Sequence, residues 1–172
     1  MRLYNQAFTA MEDALSTTQS TPEQRLQDLG ITLPKASQPA GNYTNGVRVG
    51  NLLFMSGCGP QKPGGGYVTG KLGGALSVEE GYAAARLTGL TLLANIRGEL
   101  GSLDHVVRVV KTLGMINATP DFSDTPKVLN GCSDLFCEIF GEQGRGARSA
   151  VGMATLPFQI AVEVEMVLEV RG

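Results

Sequence analysis

The chain has 172 residues, with 14 Lys and Arg against 16 Asp and Glu and a formal net charge of −2. That length suits one domain with its own core, and the balanced charge argues against the basic footprint of a dedicated nucleic-acid-binding surface. No apolar run approaches the roughly 18–20 residues of a membrane span, and no signal-peptide apolar core opens the chain, so the expectation is a cytoplasmic protein with no membrane partner.

Met1 to Leu15 can form a short amphipathic helix through Leu3, Phe8, Met11 and Leu15, followed by a polar linker to Thr21. Thr21-Pro22-Glu23-Gln24 reads as a helix start. Thr21 is the cap, Pro22 takes the first helical position, Gln24 can close a capping box, and Gly30 ends the helix. Residues 31–42 look extended. Val47–Val49 and Leu52–Met55 flank Gly50-Asn51, a tight hairpin signal. The second of these strands should end at Ser56-Gly57-Cys58, before a glycine-rich loop and a short strand at Tyr67–Thr69. Ser77-Val-Glu-Glu80 is a capping box for a long helix, about Val78 to Leu100, that Gly101 closes. Val106 to Ala118 is too valine-rich for an easy helix and reads as a strand. Pro126 opens a second helix, whose Val128, Leu129, Cys132, Leu135, Phe136 and Ile139 form an apolar face ending at Gly141.

The C-terminal stretch carries the clearest pattern. Ile160, Val162, Val164, Met166, Leu168 and Val170 alternate with Ala161, Glu163, Glu165, Val167 and Glu169. One face should lie on a core, while the three carboxylates of the other need water, a partner charge or a substrate. Arg148 begins another β-rich run, and Leu156-Pro157 marks the turn between the two. If these runs pair as a hairpin, Arg148 and Glu163 meet at one end of the sheet and suit a small carboxylated ligand. The element order gives an α+β fold, a mixed sheet with two helices packed on one face.

Other motifs carry less. Gly65-Gly-Tyr-Val-Thr-Gly70-Lys71 fits seven positions of a phosphate-binding loop, but Leu72 stands where the magnesium-binding hydroxyl belongs, so a surface loop is the better reading. A single histidine, His105, and no C-x-x-C pair leave no zinc set. The same histidine is the sole base for any triad, and its place in a turn fits capping or solvation better. Cys58, Cys132 and Cys137 read as reduced thiols. On pattern alone Arg148 could be an ordinary surface arginine and Glu163 an ordinary strand-face glutamate.

Residues 42–170 resemble the Rid/YjgF family of reactive intermediate/imine deaminases. The resemblance is carried by Asn42-Tyr43 through Ser56-Gly57, by Gly146-Ala-Arg148-Ser149, by Leu156-Pro157 and by Val162-Glu163-Val-Glu165. The leader from Arg25 to Pro34 looks like a longer-chained subgroup, so residues 1–41 are taken as an N-terminal extension with a short helix and residues 42–172 as the family domain. The resemblance implies a chorismate-mutase-like fold and a homotrimer with clefts between subunits. It implies hydrolysis of small 2-imino and enamine acids to 2-keto acids and ammonia, without cofactor or metal. By the same resemblance Arg148 would bind the substrate carboxylate and Glu163 would handle the attacking water. Tyr43, from a neighbouring subunit, and Ser56, Gly57, Cys58, Asn130 and Ala150 would line the cleft, Ala150 through its backbone. Cys58 replaces a longer polar residue of the family pattern, Ala150 a frequent cysteine and Gly152 a frequent glutamate. These departures keep two alternatives open: a small-carboxylate binding module without turnover and, ranked last, an endoribonuclease.

Overall fold

A computed structural model describes residues 20–172; the helix and linker expected within residues 1–19 lie outside the described residues. The first described helix, α1 (Pro22–Asp28), starts where Thr21 Oγ1 accepts from Gln24 N at 3.3 Å. Its expected capping box does not close, because the Gln24 amide instead donates forward to Asp28 at 2.9 Å. α1 is tied to the domain at both ends. The Glu23 carboxylate accepts from Arg97 Nε and Leu103 N, each at 3.0 Å, and Arg25 Nη1 donates to the Ile139 carbonyl at 3.2 Å.

Strands β1 (Gly46–Val49) and β2 (Leu52–Cys58) form the expected hairpin, with β2 ending at Cys58, within the Ser56-Gly57-Cys58 stop expected for it. Tyr67–Thr69 forms only isolated bridges, to Gln61 and Ile160. Helix α2 (Val78–Leu100) begins on a complete capping box between Ser77 and Glu80. His105, in the 3₁₀ turn after it, sets Nδ1 3.0 Å from the Leu100 carbonyl, a capping position. Strand β3 (Val106–Asn117), helix α3 (Thr125–Phe140), β4 (Ala147–Met153) and β5 (Val162–Val170) complete the described chain.

The sheet order is β1-β2-β5-β3-β4. β4 and β5 do not pair as the sequence led one to expect. β3 lies between them, parallel to β4 and antiparallel to β5. The parallel pairing explains this: β3 and β4 are joined by a crossover through α3, which returns the chain to the same end of the sheet.

All the even-numbered residues from Val162 to Val170 are buried against the helices, as alternation demands. α2 and α3 pack against each other over this face at very close range. A Cβ on Gly131 would stand 2.0 Å from the Tyr82 carbonyl oxygen of α2, so only glycine permits this helix approach. The opposite sheet face has no described element over it. It exposes Val47, Val49, Phe54 and Val151 among charged neighbours, an apolar content unusual for a strand face left to water.

Candidate functional site

Glu163 stands on the uncovered face, since its neighbours Val162 and Val164 both point into the core. It looks into a cleft of about 130 Å³. The walls are the Ser37–Asn45 segment with Tyr43, the end of β2 from Gly57 to Gly59, Tyr67, and the turn of Pro157, Phe158 and Ile160. That volume is well under the roughly 300–1,000 Å³ of drug-sized pockets, so it fits a small metabolite. Gly57 lets the carboxyl lie against the backbone in this position, because a Cβ there would fall 2.2 Å from Glu163 Oε1 and push the side chain aside. The Tyr43 segment is held by Asn95 of α2, whose Oδ1 accepts from Ser37 N at 2.8 Å while its amide donates to Cys58 Sγ at 3.2 Å.

Cys58 borders this cleft, but its thiol is turned inward to Asn95 and burial pushes its pKa up to about 11. It is therefore a neutral packing group near pH 7 and not a nucleophile. Ser56 sits beside the cleft with its hydroxyl committed to the Thr44 carbonyl at 2.6 Å.

Arg148 lies elsewhere. It opposes Thr112 of β3, which in turn opposes Met166 of β5, so it belongs to the helix-covered face. Its Nη1 donates to Asn130 Oδ1 at 2.8 Å and to Ser133 Oγ at 3.1 Å, both on α3. No described carboxylate pairs with it, and its Nε and Nη2 have no described partner. A structural salt bridge is thereby ruled out among the described residues. Asn130 thus joins Arg148 and not the Glu163 cleft. Ala150 stands two positions along the same edge strand and gives its carbonyl to Thr125 Oγ1 at 3.2 Å. The single Arg–Glu site expected from a β4–β5 hairpin is replaced by two half-sites, on opposite faces of the sheet with β3 between their strands.

Sequence reasoning missed Ser133, Asn95, Tyr67 and Phe158. Ser133 had a usable signal, since Asn130 and Ser133 are three apart on one helix and share a face. The others come together only through the fold.

Burial raises the Glu163 pKa above the ordinary glutamate range, with the Glu165 charge adding to the effect. No described side chain hydrogen-bonds or ion-pairs with Glu163. A carboxyl raised in the fold binds its proton more tightly folded than unfolded. Folding stability therefore falls as pH rises from the ordinary glutamate pKa, about 4.3, through the raised value, and stays lower above it. Glu163→Gln removes that loss. The variant should melt above wild type near neutral pH and match it once Glu163 is protonated in both states, as thermal denaturation across pH will read.

The two-layer arrangement, a mixed sheet backed by helices, with its half-sites at the Arg148 edge and the Glu163 cleft, defines a chorismate-mutase-like α+β protein. Residues 23–170 match the family described as "YjgF/chorismate mutase-like, putative endoribonuclease", and the chain belongs to that family. Protein TCP17 of Trypanosoma cruzi is 48% identical over 148 residues, covering 86% of this chain and 92% of TCP17. The crystal structure of a putative endoribonuclease from Shewanella oneidensis superposes with a TM-score of 0.83 at 35% identity, covering 87% of this chain and 99% of that one. The structure of E. coli TdcF with bound serine superposes with a TM-score of 0.56 at 26% identity, covering 80% of this chain and 94% of that one.

Proposed function

We propose that this protein hydrolyses small 2-imino and enamine acids to 2-keto acids and ammonia, in clefts that a second copy of the chain completes. The observation that carries this reading is the pair of uncommitted charges. Among the described residues Arg148 holds only neutral partners and Glu163 holds none, and each stands at a separate half-site. The Arg148 edge of one protomer set against the Glu163 cleft of the next would bring a carboxylate anchor to a water-handling acid.

Arg148 would take the substrate carboxylate through Nε and Nη2, which no described residue engages, as a bidentate fork. Asn130 and Ser133 hold the guanidinium in place for that role. An imine carbon is already electrophilic, so positioning can do much of the work. Glu163, ionised, would take a proton from water as the oxygen bonds to the C=N carbon. It would return that proton to nitrogen, giving a carbinolamine, and then carry the hydroxyl proton to the same nitrogen as the C=O bond forms and the C–N bond breaks, leaving the keto acid and ammonia. A carboxyl with a raised pKa suits both halves of that transfer. The serine bound by TdcF, itself an α-carboxylate, agrees with a ligand of this class.

The exposed apolar side chains of the uncovered sheet face favour burial between copies, in a closed homotrimer. A solution mass of three chains is expected, and a monomeric mass would sink the shared cleft. Activity is tested by generating imines with an amino-acid oxidase and following ammonia release. Wild type should accelerate hydrolysis and Arg148→Ala should do so far more weakly; equal traces would remove the deaminase reading. A binding module without turnover is the second reading, favoured by the inward thiol of Cys58 and the bare methyl group at Ala150. It predicts keto-acid binding with no acceleration. The endoribonuclease reading has no acid–base histidine at the cleft, because His105 is engaged at the end of α2.

A further inference from the structure

The Glu163 cleft has one wall that neither the acid nor the carboxylate anchor needs. Tyr67 and Phe158 stack there with ring centroids 6.4 Å apart and planes within 6°. Phe158 is 73% exposed and Tyr67 41%. Four aromatic side chains stand among the exposed large hydrophobic residues of the described chain, and three of them, Tyr43, Tyr67 and Phe158, line this one cleft. A folding argument does not put them there, because solvent-facing rings contribute little to a core.

The backbone sharpens the point. Phe158 and Gln159 are the two described non-glycine residues with positive φ, at 54° and 56°. Left-handed backbone is costly for a bulky side chain, and glycine or asparagine would hold the same turn more easily. The turn is nonetheless pinned. Gln159 N donates to the Leu156 carbonyl at 3.1 Å, Ile160 N to the Pro157 carbonyl at 3.1 Å, and Gly70 N to the Gln159 carbonyl at 3.0 Å. A strained, well-anchored turn that lifts an aromatic ring onto the mouth of a cleft is the signature of a contact made to something that enters it.

The geometry points to a side-chain subsite. Tyr67 and Phe158 select 2-imino acids bearing a large apolar side chain, of the leucine or phenylalanine kind, over those of the alanine or serine kind. This rests on the deaminase reading for its chemistry but concerns the wall opposite the reacting atoms. With carboxylate and imine carbon held between Arg148 and Glu163, the substrate side chain can run out along the two rings. There an apolar group leaves water against aromatic surface.

Two measurements test this together. First, kcat/KM is compared for imines made by an amino-acid oxidase from leucine, phenylalanine and alanine, with wild type, Phe158→Ala and Phe158→Tyr. Wild type should favour the leucine- and phenylalanine-derived imines about tenfold. Phe158→Ala should erase most of that preference, lowering the rates on the leucine- and phenylalanine-derived imines far more than the rate on the alanine-derived one, and Phe158→Tyr should keep it. Second, phenylpyruvate and pyruvate binding is measured by calorimetry, which needs no turnover. Phenylpyruvate should bind more tightly, and Phe158→Ala should remove the difference. Equal rates on all three imines with equal binding of the two keto acids overturn the subsite. So does a preference that Phe158→Ala leaves intact, or a Phe158→Ala protein that falls apart to monomers and loses all substrates alike, which would make the ring an assembly contact. Absence of hydrolysis by wild type, with phenylpyruvate still preferred through Phe158, would end the deaminase reading and leave the subsite standing.

Discussion

Replacing Arg148 with alanine is expected to lower kcat/KM for imine hydrolysis by roughly 10- to 150-fold, the value of about 1.5–3 kcal/mol for a charged hydrogen-bonded anchor. Arg148→Lys should recover little, because a point charge cannot reproduce the fork that Nε and Nη2 present. Glu163→Gln should be inactive for a different reason, having lost the proton acceptor while keeping carboxylate binding. The two variants then permit a test that no single mutant offers. When they are unfolded together in equal amounts and reassembled, a site pairing the intact Arg148 of one copy with the intact Glu163 of another should form in about a quarter of cases. Recovery near that fraction, read as ammonia release, supports a shared cleft. No recovery, in a mixture shown by mass to have assembled, would place the whole reaction within one copy and contradict the proposed arrangement.

Gly131→Ala should be the most damaging methyl group that can be added to the described fold. The new Cβ would meet the Tyr82 carbonyl oxygen at 2.0 Å and the Arg86 amide nitrogen at 3.1 Å, both backbone atoms that cannot swing aside. α2 and α3 must separate, which uncovers the Leu135, Cys132 and Val128 face at the centre of the core. Overpacking of this kind costs about 1–3 kcal/mol or more. Gly98→Ala on the exposed side of α2 is the control. Its Cβ would meet only Ala36 Cβ, at 3.4 Å, and the helix should gain roughly 0.5–1 kcal/mol from the lost glycine. Denaturant midpoints moving in opposite directions for two Gly→Ala changes would separate helix approach from helix propensity.

Much of the architecture was legible in the chain because it is written in local signals. The Ser77–Glu80 capping box, the Gly50-Asn51 hairpin and the alternation from Val162 to Val170 each depend on neighbours a few residues apart, and each appears where read, though the pattern stops short of Ile160 and Ala161, which are both buried. The error at β4 and β5 has the opposite origin. Two strands joined by a short turn look like a hairpin, and nothing local says that β3 will separate them. The site divides the same way. Arg148 and Glu163 stand out by residue type and motif, yet which face each occupies follows from a register set by long-range pairing. Asn95 could not be found at all from sequence, because its partners Ser37 and Cys58 are brought to it by the packing of α2 on β2. Cys58 shows the remaining gap: motif position put it at the cleft, but only burial shows that its sulfur faces away.

The width of one sheet between Arg148 and Glu163 has a consequence beyond geometry. Were the two side by side in a single chain, they would neutralise each other, and every incoming carboxylate would have to compete with the protein's own. Separation by β3 keeps both charges unspent in the lone protomer. A proposed catalyst built this way is silent when dilute, and its rate should rise faster than linearly with its own concentration until assembly saturates.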